Sequence, residues 1–201
     1  MFRRLQKHPS PSLKKKDKPF FCYVSHNSIH DPEIEKKALI EKYASKPEAK
    51  TNKRNNSNQG AMLETLDKSV GTILEILKEL ELEQNTLMVF YSDNGQKGTK
   101  KGKPLRGSKG DLYEGGIRMP LIIKWPGVTT PGSECGEVVI SNDFFPTFTA
   151  IAGASSLVKD VDGISLLPVL KNSKARLIRE AVYWHFPHYH SLGGAPPPLQ
   201  A

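Results

Sequence analysis

Asp93 and Asn94 are adjacent side chains that could hold a metal ion. They directly follow the apolar run Thr86–Ser92 and offer a carboxylate and an amide carbonyl oxygen. Hard oxygen ligands of this kind suit Ca²⁺ or Mg²⁺. Gly95, the next residue, allows the backbone to bend sharply. The same residues also fit an ordinary Asn-Gly turn in which Asp93 is a local cap, and the segment alone does not decide between these interpretations.

Two histidines follow another apolar run. His26 and His30 come just after Pro19–Ser25, in a polar segment that Pro32 keeps from being helical. An imidazole beside an anion can hydrogen-bond it or give a proton to a leaving oxygen. The alternative for each histidine is a structural hydrogen bond or a surface position.

Lys109 is the third candidate, and it lies in the glycine-rich segment Leu105–Arg118. The glycines let the backbone approach a ligand closely. A lysine in such a loop could neutralise a tetrahedral anion as a point charge. A flexible basic loop is the alternative interpretation, and composition does not reject it.

The composition of the 201 residues is that of a globular domain, with 37% hydrophobic and 25% charged residues. The net charge of +8 favours an anionic partner. The basic clusters, at positions 14–16 and 97–103, lack interleaved aromatic residues, which argues against nucleic acid. No apolar run is long enough for a membrane span, and no signal peptide is recognisable. Compartment and oligomeric state stay open.

The elements that must position these residues alternate between helices and apolar strands. Leucine, isoleucine and valine recur every three or four residues between Gln59 and Leu80, which predicts an amphipathic helix with a core-facing stripe. Buried strands that follow helices predict an α/β layer architecture. The predicted strands are Pro19–Ser25, Thr86–Ser92, Pro120–Trp125 and Ala181–His185. Further helices are expected over Glu33–Tyr43 and from a cap at Asn142 or Asp143 to Ala152, with a loop and turn over Val161–Leu170.

The three polar segments lie at the ends of three predicted strands: two of them follow Pro19–Ser25 and Thr86–Ser92, and the Lys109 segment precedes Pro120–Trp125. In open α/β sheets, ligands bind just outside the carboxyl ends of the strands. We therefore expect His30, the pair Asp93 and Asn94, and Lys109 to meet around a common cavity at one rim of the sheet.

With those residues in place, the sequence resembles the sulfatase family of the alkaline-phosphatase-like superfamily. The resemblance runs from about Lys18 to Tyr189 through segments in family order. These segments are PFFCYVSHNSIHDP, LDKSVGTILEILKELELEQNTLMVFYSDNG, LRGSKGDLYEGGIRMPLIIKWPG, DFFPTFTAIAG, DGISLLPVL and YWHFPHY.

The resemblance implies an α/β fold with a mixed, mostly parallel sheet flanked by helices, incomplete at both ends. On this interpretation residues 18–190 form part of a sulfatase catalytic domain. Residues 1–17 are a basic, linker-like lead, and residues 191–201 are a disordered tail.

The resemblance also implies roles for the candidate residues. Asp93 and Asn94 would bind the divalent cation, usually Ca²⁺, with Mg²⁺ as the alternative. His30 would bind the sulfate and assist departure of the alcohol, Lys109 would contact the sulfate oxygens, and His26 would support substrate binding from the same loop. The substrate would be a sulfated small molecule or glycan. Family members are often secreted, periplasmic or lysosomal.

The nucleophile that the family uses has no counterpart in these residues. The resemblance implies a formylglycine made from a cysteine or serine in a Cys/Ser-x-Pro-x-Arg sequence, which does not occur in the chain. We therefore expect this chain alone to be inactive. Two further functions stay open: a non-catalytic protein that binds anions or sulfated glycans, and a related phosphatase or phosphodiesterase.

Overall fold

The computed structural model describes residues 18–47, 56–95, 104–154 and 159–186. It divides into two compact units, one up to Glu83 and the other from Gln84 onward. The predicted lead, the predicted tail and both basic clusters lie outside the described residues. The assignment of residues 18–190 to one catalytic domain stays a prediction.

The described part of the first unit contains the helices α1 (Lys37–Ala44) and α2 (Ser57–Glu79). The side chain of Asn56 caps α2 by accepting hydrogen bonds from the backbone N–H groups of Asn58 and Gln59. The long helix predicted over Gln59–Leu80 is thus confirmed within two residues, and α1 confirms the second half of the helix predicted over Glu33–Tyr43.

The core-facing stripe predicted for α2 is only partly buried. Leu77 is buried as expected, but Leu63 is 49% exposed. Ala61 and Met62 are the other buried residues of this helix. Periodicity therefore located the helix correctly but placed the centre of its buried face imperfectly.

The strand predicted over Pro19–Ser25 is wrong. These residues have no regular secondary structure, and Phe21 and Tyr23 are 75% and 82% exposed. β-Branched and aromatic residues favour a strand only where neighbouring strands and side chains pack against it. Within the described residues the single ladder is in the other unit, so this packing is missing here.

The second unit contains an antiparallel ribbon of β1 (Met88–Tyr91) and β2 (Leu121–Lys124). Met88 pairs with Lys124, and Tyr91 with Leu121. Both strands lie inside predicted ones, Thr86–Ser92 and Pro120–Trp125. Burial alternates along β2, so that Ile123 packs on the core while Ile122 is exposed.

The core of the second unit forms around the short helix α5 (Leu167–Lys171). Leu166, Val169, Leu170 and Leu177 are buried together, with Trp125 and Phe144 among the residues packed on them. The prediction of loop and turn over Val161–Leu170 is therefore wrong at its end. Pro168 in the first turn of α5 needs no backbone N–H there, which is why proline suits this helix start.

The strand predicted over Ala181–His185 is also wrong. The residues have no regular secondary structure and belong to no ladder in the described part of the chain, and Tyr183 is 87% exposed.

The helix α4 (Phe144–Ile151) follows a 3₁₀ turn over Ser141–Asp143. It ends as predicted near Ala152, with Gly153 in the left-handed region at φ +70°. The predicted cap is wrong, because no side chain caps α4. The Asp143 carboxylate instead accepts hydrogen bonds from the backbone N–H groups of Ile140 and Ile164, both at 3.0 Å.

Asp143 is the polar centre of this unit. It is fully buried, and Arg179 donates to both of its carboxylate oxygens at 2.9 Å. Since two backbone N–H groups complete the set, the buried charge is well paired, which is the condition for tolerating it in a protein interior. Asp143 therefore ties α4 to two distant segments of the chain.

Cys22 and Cys135 are both exposed free thiols. Across the described ranges, none of the helices combines the length and hydropathy that crossing a bilayer requires.

Candidate functional site

The segment Ser92–Gly95 leaves β1 in a tight turn that its own polar groups stabilise. Ser92 Oγ donates to the carbonyl oxygen of Asn94 at 3.3 Å, and Asn94 Nδ2 donates to that of Gly95 at 3.0 Å. The side-chain NH₂ group of Asn94 therefore has a partner within the turn, whereas the side-chain oxygen Oδ1 is available to a ligand. Asp93 is exposed, and no described group donates to or pairs with its carboxylate. Two hard oxygen ligands are thus available at this strand end.

The described residues hold no group of three or more His, Cys, Asp and Glu side chains arranged for a metal ion. Asp93 and Asn94 nevertheless have the right chemistry for part of a Ca²⁺ or Mg²⁺ site. Since Ca²⁺ takes about six to eight oxygen ligands, these two residues could supply only a fraction of its coordination shell. The predicted metal role of this pair stays a prediction.

Gly95 attaches this turn to the short helix α3 (Glu114–Ile117). Its N–H donates to the carbonyl oxygen of Gly116 at 2.8 Å. A Cβ atom on Gly95 would collide with the Gly115 carbonyl group. Glycine is therefore required here for close backbone approach.

The loop that carries Lys109 rests on the same helix. The N–H of Gly115 donates to the carbonyl oxygen of Arg106 at 2.7 Å. A Cβ atom on Gly115 would collide with the carbonyl of Gly107, and one on Gly116 with that of Asp111. The Asp93 turn and the Lys109 loop thus meet on the two glycines of α3.

Lys109 occupies a corner of a closed turn over Ser108–Asp111. The N–H of Asp111 donates to the carbonyl oxygen of Ser108 at 2.8 Å, and Gly110 has φ +92°. A residue with positive φ at this position of a turn is normally glycine. Lys109 is half-buried, and no described carboxylate forms an ion pair with its ammonium group. Its charge is available for an anion.

A second cation of the same loop was not anticipated from the sequence. The guanidinium group of Arg106 lies 3.7 Å from the centre of the Tyr113 ring, and its Nη2 donates to the Tyr113 hydroxyl at 2.7 Å. Stacking on the ring holds an otherwise flexible arginine in place. The sequence gives no signal for this pair because the two residues are brought together only by the loop conformation.

The two histidines lie in the first unit, and both are exposed. His30 closes a turn by donating its N–H to the carbonyl oxygen of Asn27 at 2.8 Å, and its ring Nδ1 lies 3.0 Å from the carbonyl oxygen of Asp31. A carbonyl oxygen accepts only, so Nδ1 carries the proton in this contact. Nε2 of His30 is therefore the ring nitrogen available to a ligand.

His26 has a defined partner. Its Nε2 lies 3.0 Å from the hydroxyl group of Ser69 on α2. This contact fits the alternative stated above, a histidine in a structural hydrogen bond. The predicted substrate-binding role of His26 stays a prediction.

The chain after His30 is anchored to the start of α2 through Glu33. Asn56 and Gln59 donate to its two carboxylate oxygens, the latter at 2.6 Å. The side chain of Asn58 donates to its carbonyl oxygen at 3.2 Å. The histidine loop is therefore held on one side by Ser69 and on the other by the α2 start.

Ion pairs to Glu64 join α1 to α2, and the Glu64 side chain is only 14% exposed. Lys42 and Lys68 each donate to a carboxylate oxygen of Glu64 at 2.6 Å. These two hydrogen bonds lower the pKa of Glu64 to about 2, and the bond from Lys42 is the larger cause. The pKa of Glu35 is also lowered, chiefly by a hydrogen bond from the side chain of Thr65.

Comparison with known proteins identifies the family: a family model described as Sulfatase matches residues 6–154, so the chain belongs to the sulfatase family. It is 37% identical over 196 residues to a sulfatase of Formosa agariphila, a match that covers 90% of this chain and 35% of that protein. The chain thus spans about a third of the length of this relative.

Solved structures of sulfatases resemble this chain in fold. The crystal structure of Ps i-CgsB in complex with k-i-k-neocarrahexaose matches with a TM-score of 0.70 and 32% identity, over 81% of this chain and 36% of that chain. A second structure, a complex with its substrate D-glucosamine-2-N,6-O-disulfate, matches with a TM-score of 0.56 and 29% identity, over 69% and 28% of the two chains. The chain therefore has part of the alkaline-phosphatase-like α/β fold, and the predicted fold class is confirmed.

The predicted site residues divide between the two compact units. The loops of Asp93, Asn94 and Lys109 are joined through α3 in the second unit. His30 belongs to the first unit. The expectation of a cavity common to all four stays a prediction.

Proposed function

We propose that this chain supplies part of the active site of a sulfuric ester hydrolase whose substrate is a sulfated small molecule or glycan. The observation that carries the proposal is that two loops with unpaired polar side chains are both attached to α3. The side-chain oxygens of Asp93 and Asn94 and the ammonium of Lys109 have no described protein partner, yet their loops are fixed to the same two glycines, Gly115 and Gly116. Membership of the sulfatase family and a structural neighbour bound to a disulfated glucosamine support the same assignment.

In this proposal Asp93 and Asn94 hold a divalent cation, Ca²⁺ or in its place Mg²⁺. When bound, the cation would polarise the sulfate oxygens and stabilise the charge that develops during hydrolysis. The carboxylate of Asp93 contributes the negative charge of the pair, and the Asn94 carbonyl contributes a neutral ligand. The remaining ligands come from residues other than these two, since the cation requires more oxygens than they provide.

Lys109 contacts a sulfate oxygen as a fixed positive charge. An ammonium group 4 Å from a unit negative charge gains about 4 kcal/mol at the effective dielectric constant of a protein surface, against about 1 kcal/mol in water. Because no described carboxylate pairs with Lys109, its positive charge is not neutralised and can attract the sulfate group of the substrate.

In this proposal both ring nitrogens of His30 carry protons during the reaction: Nε2 donates a hydrogen bond to the sulfate ester and gives that proton to the departing alcohol oxygen. The contact of Nδ1 with the carbonyl oxygen of Asp31 orients the ring for this role. Proton transfer from a positioned side chain typically accelerates such steps by about 10²–10⁴-fold. His26, hydrogen-bonded to Ser69, supports the loop.

The nucleophile in this proposal is a formylglycine made from a cysteine or serine of a Cys/Ser-x-Pro-x-Arg sequence. The 201 residues contain no such sequence. We therefore expect the chain alone to be inactive. The purified chain is assayed with an aryl sulfate beside its His30→Ala variant, and turnover above that of the variant would overturn this expectation.

The experiment that tests the proposed function begins with the genomic DNA on both flanks of the coding region. A reading frame in register that contains Cys/Ser-x-Pro-x-Arg is expected upstream. The protein from the longer frame, expressed with the enzyme that makes formylglycine, should hydrolyse an aryl sulfate and leave the matching aryl phosphate nearly untouched. Preferential hydrolysis of the phosphate would assign the protein to the phosphatases or phosphodiesterases instead.

One observation favours a second function, a non-catalytic anion-binding protein. The sequence keeps an unpaired Lys109 and an unpaired Asp93 while lacking the motif of the nucleophile. Intact messenger RNA that starts at Met1, together with saturable binding of a sulfated sugar without turnover, would favour this function. Absence of such a transcript would exclude it.

A further inference from the structure

We propose that Asp111 is a positioning residue for Lys109: its buried carboxylate fixes the turn from which the lysine reaches the substrate. Asp111 Oδ2 accepts a hydrogen bond from the backbone N–H of Ser108 at 2.8 Å, and the Ser108 hydroxyl lies 3.4 Å from the same oxygen. Both Ser108 and Asp111 are buried. The inference rests on the proposed role of Lys109.

The carboxylate closes the turn a second time. The backbone already closes it, since the N–H of Asp111 donates to the Ser108 carbonyl oxygen at 2.8 Å. The side-chain contact runs in the opposite direction and satisfies the buried N–H of Ser108. Lys109 and Gly110 are thus enclosed by two hydrogen bonds between the residues on either side of them. A buried N–H without an acceptor is destabilising, so this contact fixes the conformation of the turn.

The other side of the turn is held by glycines. A Cβ atom on Gly107 would lie closer than ordinary van der Waals contact to Tyr113 Cβ, at 2.9 Å, and to Asp111 Oδ2, at 3.3 Å. A Cβ atom on Gly116 would collide with the carbonyl oxygen of Asp111. The side chain of Asp111 therefore lies against Gly107 and its backbone carbonyl against Gly116 of α3, so the turn has little room to shift.

Asp111 acts on the backbone of Lys109 and not on its charge. No ion pair joins the two side chains in the described structure. The carboxylate is engaged by Ser108, so the ammonium group stays free for an anion. This arrangement fixes the backbone position of Lys109 without neutralising its ammonium group. A fixed loop loses less conformational entropy on binding an anion than a flexible loop does.

The test measures sulfate binding to the complete 201-residue chain by NMR, with sodium sulfate replacing sodium chloride at constant ionic strength. The amide resonances of residues 107–111 report binding in the parent chain and in every variant, and hydrogen exchange of the Ser108 amide reports the turn. Asp111→Ala should weaken sulfate binding about tenfold, because the turn must be ordered anew. It should also speed exchange of the Ser108 amide. Asp111→Asn keeps an acceptor oxygen and should restore binding to within about threefold of the parent chain.

Two variants guard against loss of folding and against a general effect of removing an aspartate. Gly110→Ala strains the same turn at φ +92° while leaving Asp111 intact, and it should weaken binding in the same way. Asp162 is an exposed aspartate in the same unit. Asp162→Ala should bind sulfate as the parent chain does.

The outcomes separate the inference from the proposed function. If Lys109→Ala loses sulfate binding but Asp111→Ala and Gly110→Ala retain it, the positioning role is wrong and the role of Lys109 stands. If Lys109→Ala binds sulfate as well as the parent chain, or the parent chain shows no binding at Lys109, the role of Lys109 fails and the inference fails with it. A uniform loss of affinity in Asp111→Ala and Asp111→Asn would also contradict the inference, because the asparagine keeps the acceptor.

Discussion

The backbone N–H of Gly95 donates to the carbonyl oxygen of Gly116 at 2.8 Å and thereby joins the end of β1 to α3. The next residue back along the helix, Gly115, bonds in turn to Arg106 of the Lys109 loop. Two loops with unpaired polar side chains therefore share one rigid support. The three glycines make this possible, since a Cβ atom on any of them would collide with a carbonyl group of the opposing segment.

Replacing Gly116 with alanine should destabilise the second unit. The added Cβ would collide with the carbonyl oxygen of Asp111, so backbone must move, at a cost of about 1–3 kcal/mol. Gly136→Ala is the matched control, because its Cβ would meet open space. Urea denaturation of both variants checks the prediction. Equal midpoints for the two would mean that the close approach of the loops to α3 is not present in solution.

Removing the Asp143 carboxylate should lower the free energy of unfolding much more than removing an exposed ion pair does. Asp143→Ala leaves Arg179 and the N–H groups of Ile140 and Ile164 without their acceptor, and breaking a buried pair in this way costs about 3–5 kcal/mol. Arg176→Ala is the control. Arg176 pairs with Glu137 at 3.1 Å but is 87% exposed, so its loss should cost no more than about 1 kcal/mol. Denaturant midpoints that rank the two variants in the opposite order would refute this prediction.

The pairs of Glu64 should make the first unit sensitive to acid. The pKa of Glu64 is lowered from 4.5 to about 2, so the folded state binds its proton less readily than the unfolded state does. The stabilisation is therefore fully present above about pH 4.5 and is lost as the pH falls towards 2. In Glu64→Gln this loss should disappear. Urea midpoints at pH 6 and pH 3 measure it, with Glu75→Gln, which alters an exposed carboxylate of the same helix, retaining the parent's response.

Asp93 and Asn94 alone should bind Ca²⁺ weakly. Complete low-affinity sites have dissociation constants of roughly 10⁻⁴–10⁻³ M, and two residues provide only part of such a site, so binding to this chain should be weaker still. Amide shifts of residues 93–95 in a Ca²⁺ titration measure it. Asp93→Ala should remove the response and Asp162→Ala should leave it unchanged. Micromolar affinity in Asp93→Ala would show that the cation binds elsewhere.

Sequence reasoning recovered the elements whose signals are local. Periodicity located α2, and apolar runs located β1 and β2, because each pattern reflects packing that the element achieves in this chain. The runs at Pro19–Ser25 and Ala181–His185 carry the same composition but form no strand. A strand depends on a partner as well as on propensity, and the partner cannot be read from the run itself.

The candidate site shows the same limit. Residue type and position identified Asp93, Asn94, Lys109 and the histidines His26 and His30 as polar groups in segments next to predicted strands. The sequence did not reveal that Asp111 is buried against Ser108, or that Asp143 pairs with Arg179 across the unit. The first depends on the conformation and burial of one turn, and the second on contact between segments 36 residues apart, which neither spacing nor composition encodes.

The most direct test of the proposed function is kcat/KM for an aryl sulfate, measured on the protein of the complete reading frame and on its His30→Ala, Asp93→Ala and Lys109→Ala variants. The account predicts that each substitution lowers kcat/KM by about 10² or more, since each removes a group that acts on the ester or on the cation. The control Asp162→Ala should match the parent. Values within twofold of the parent for His30→Ala or Lys109→Ala would contradict the account.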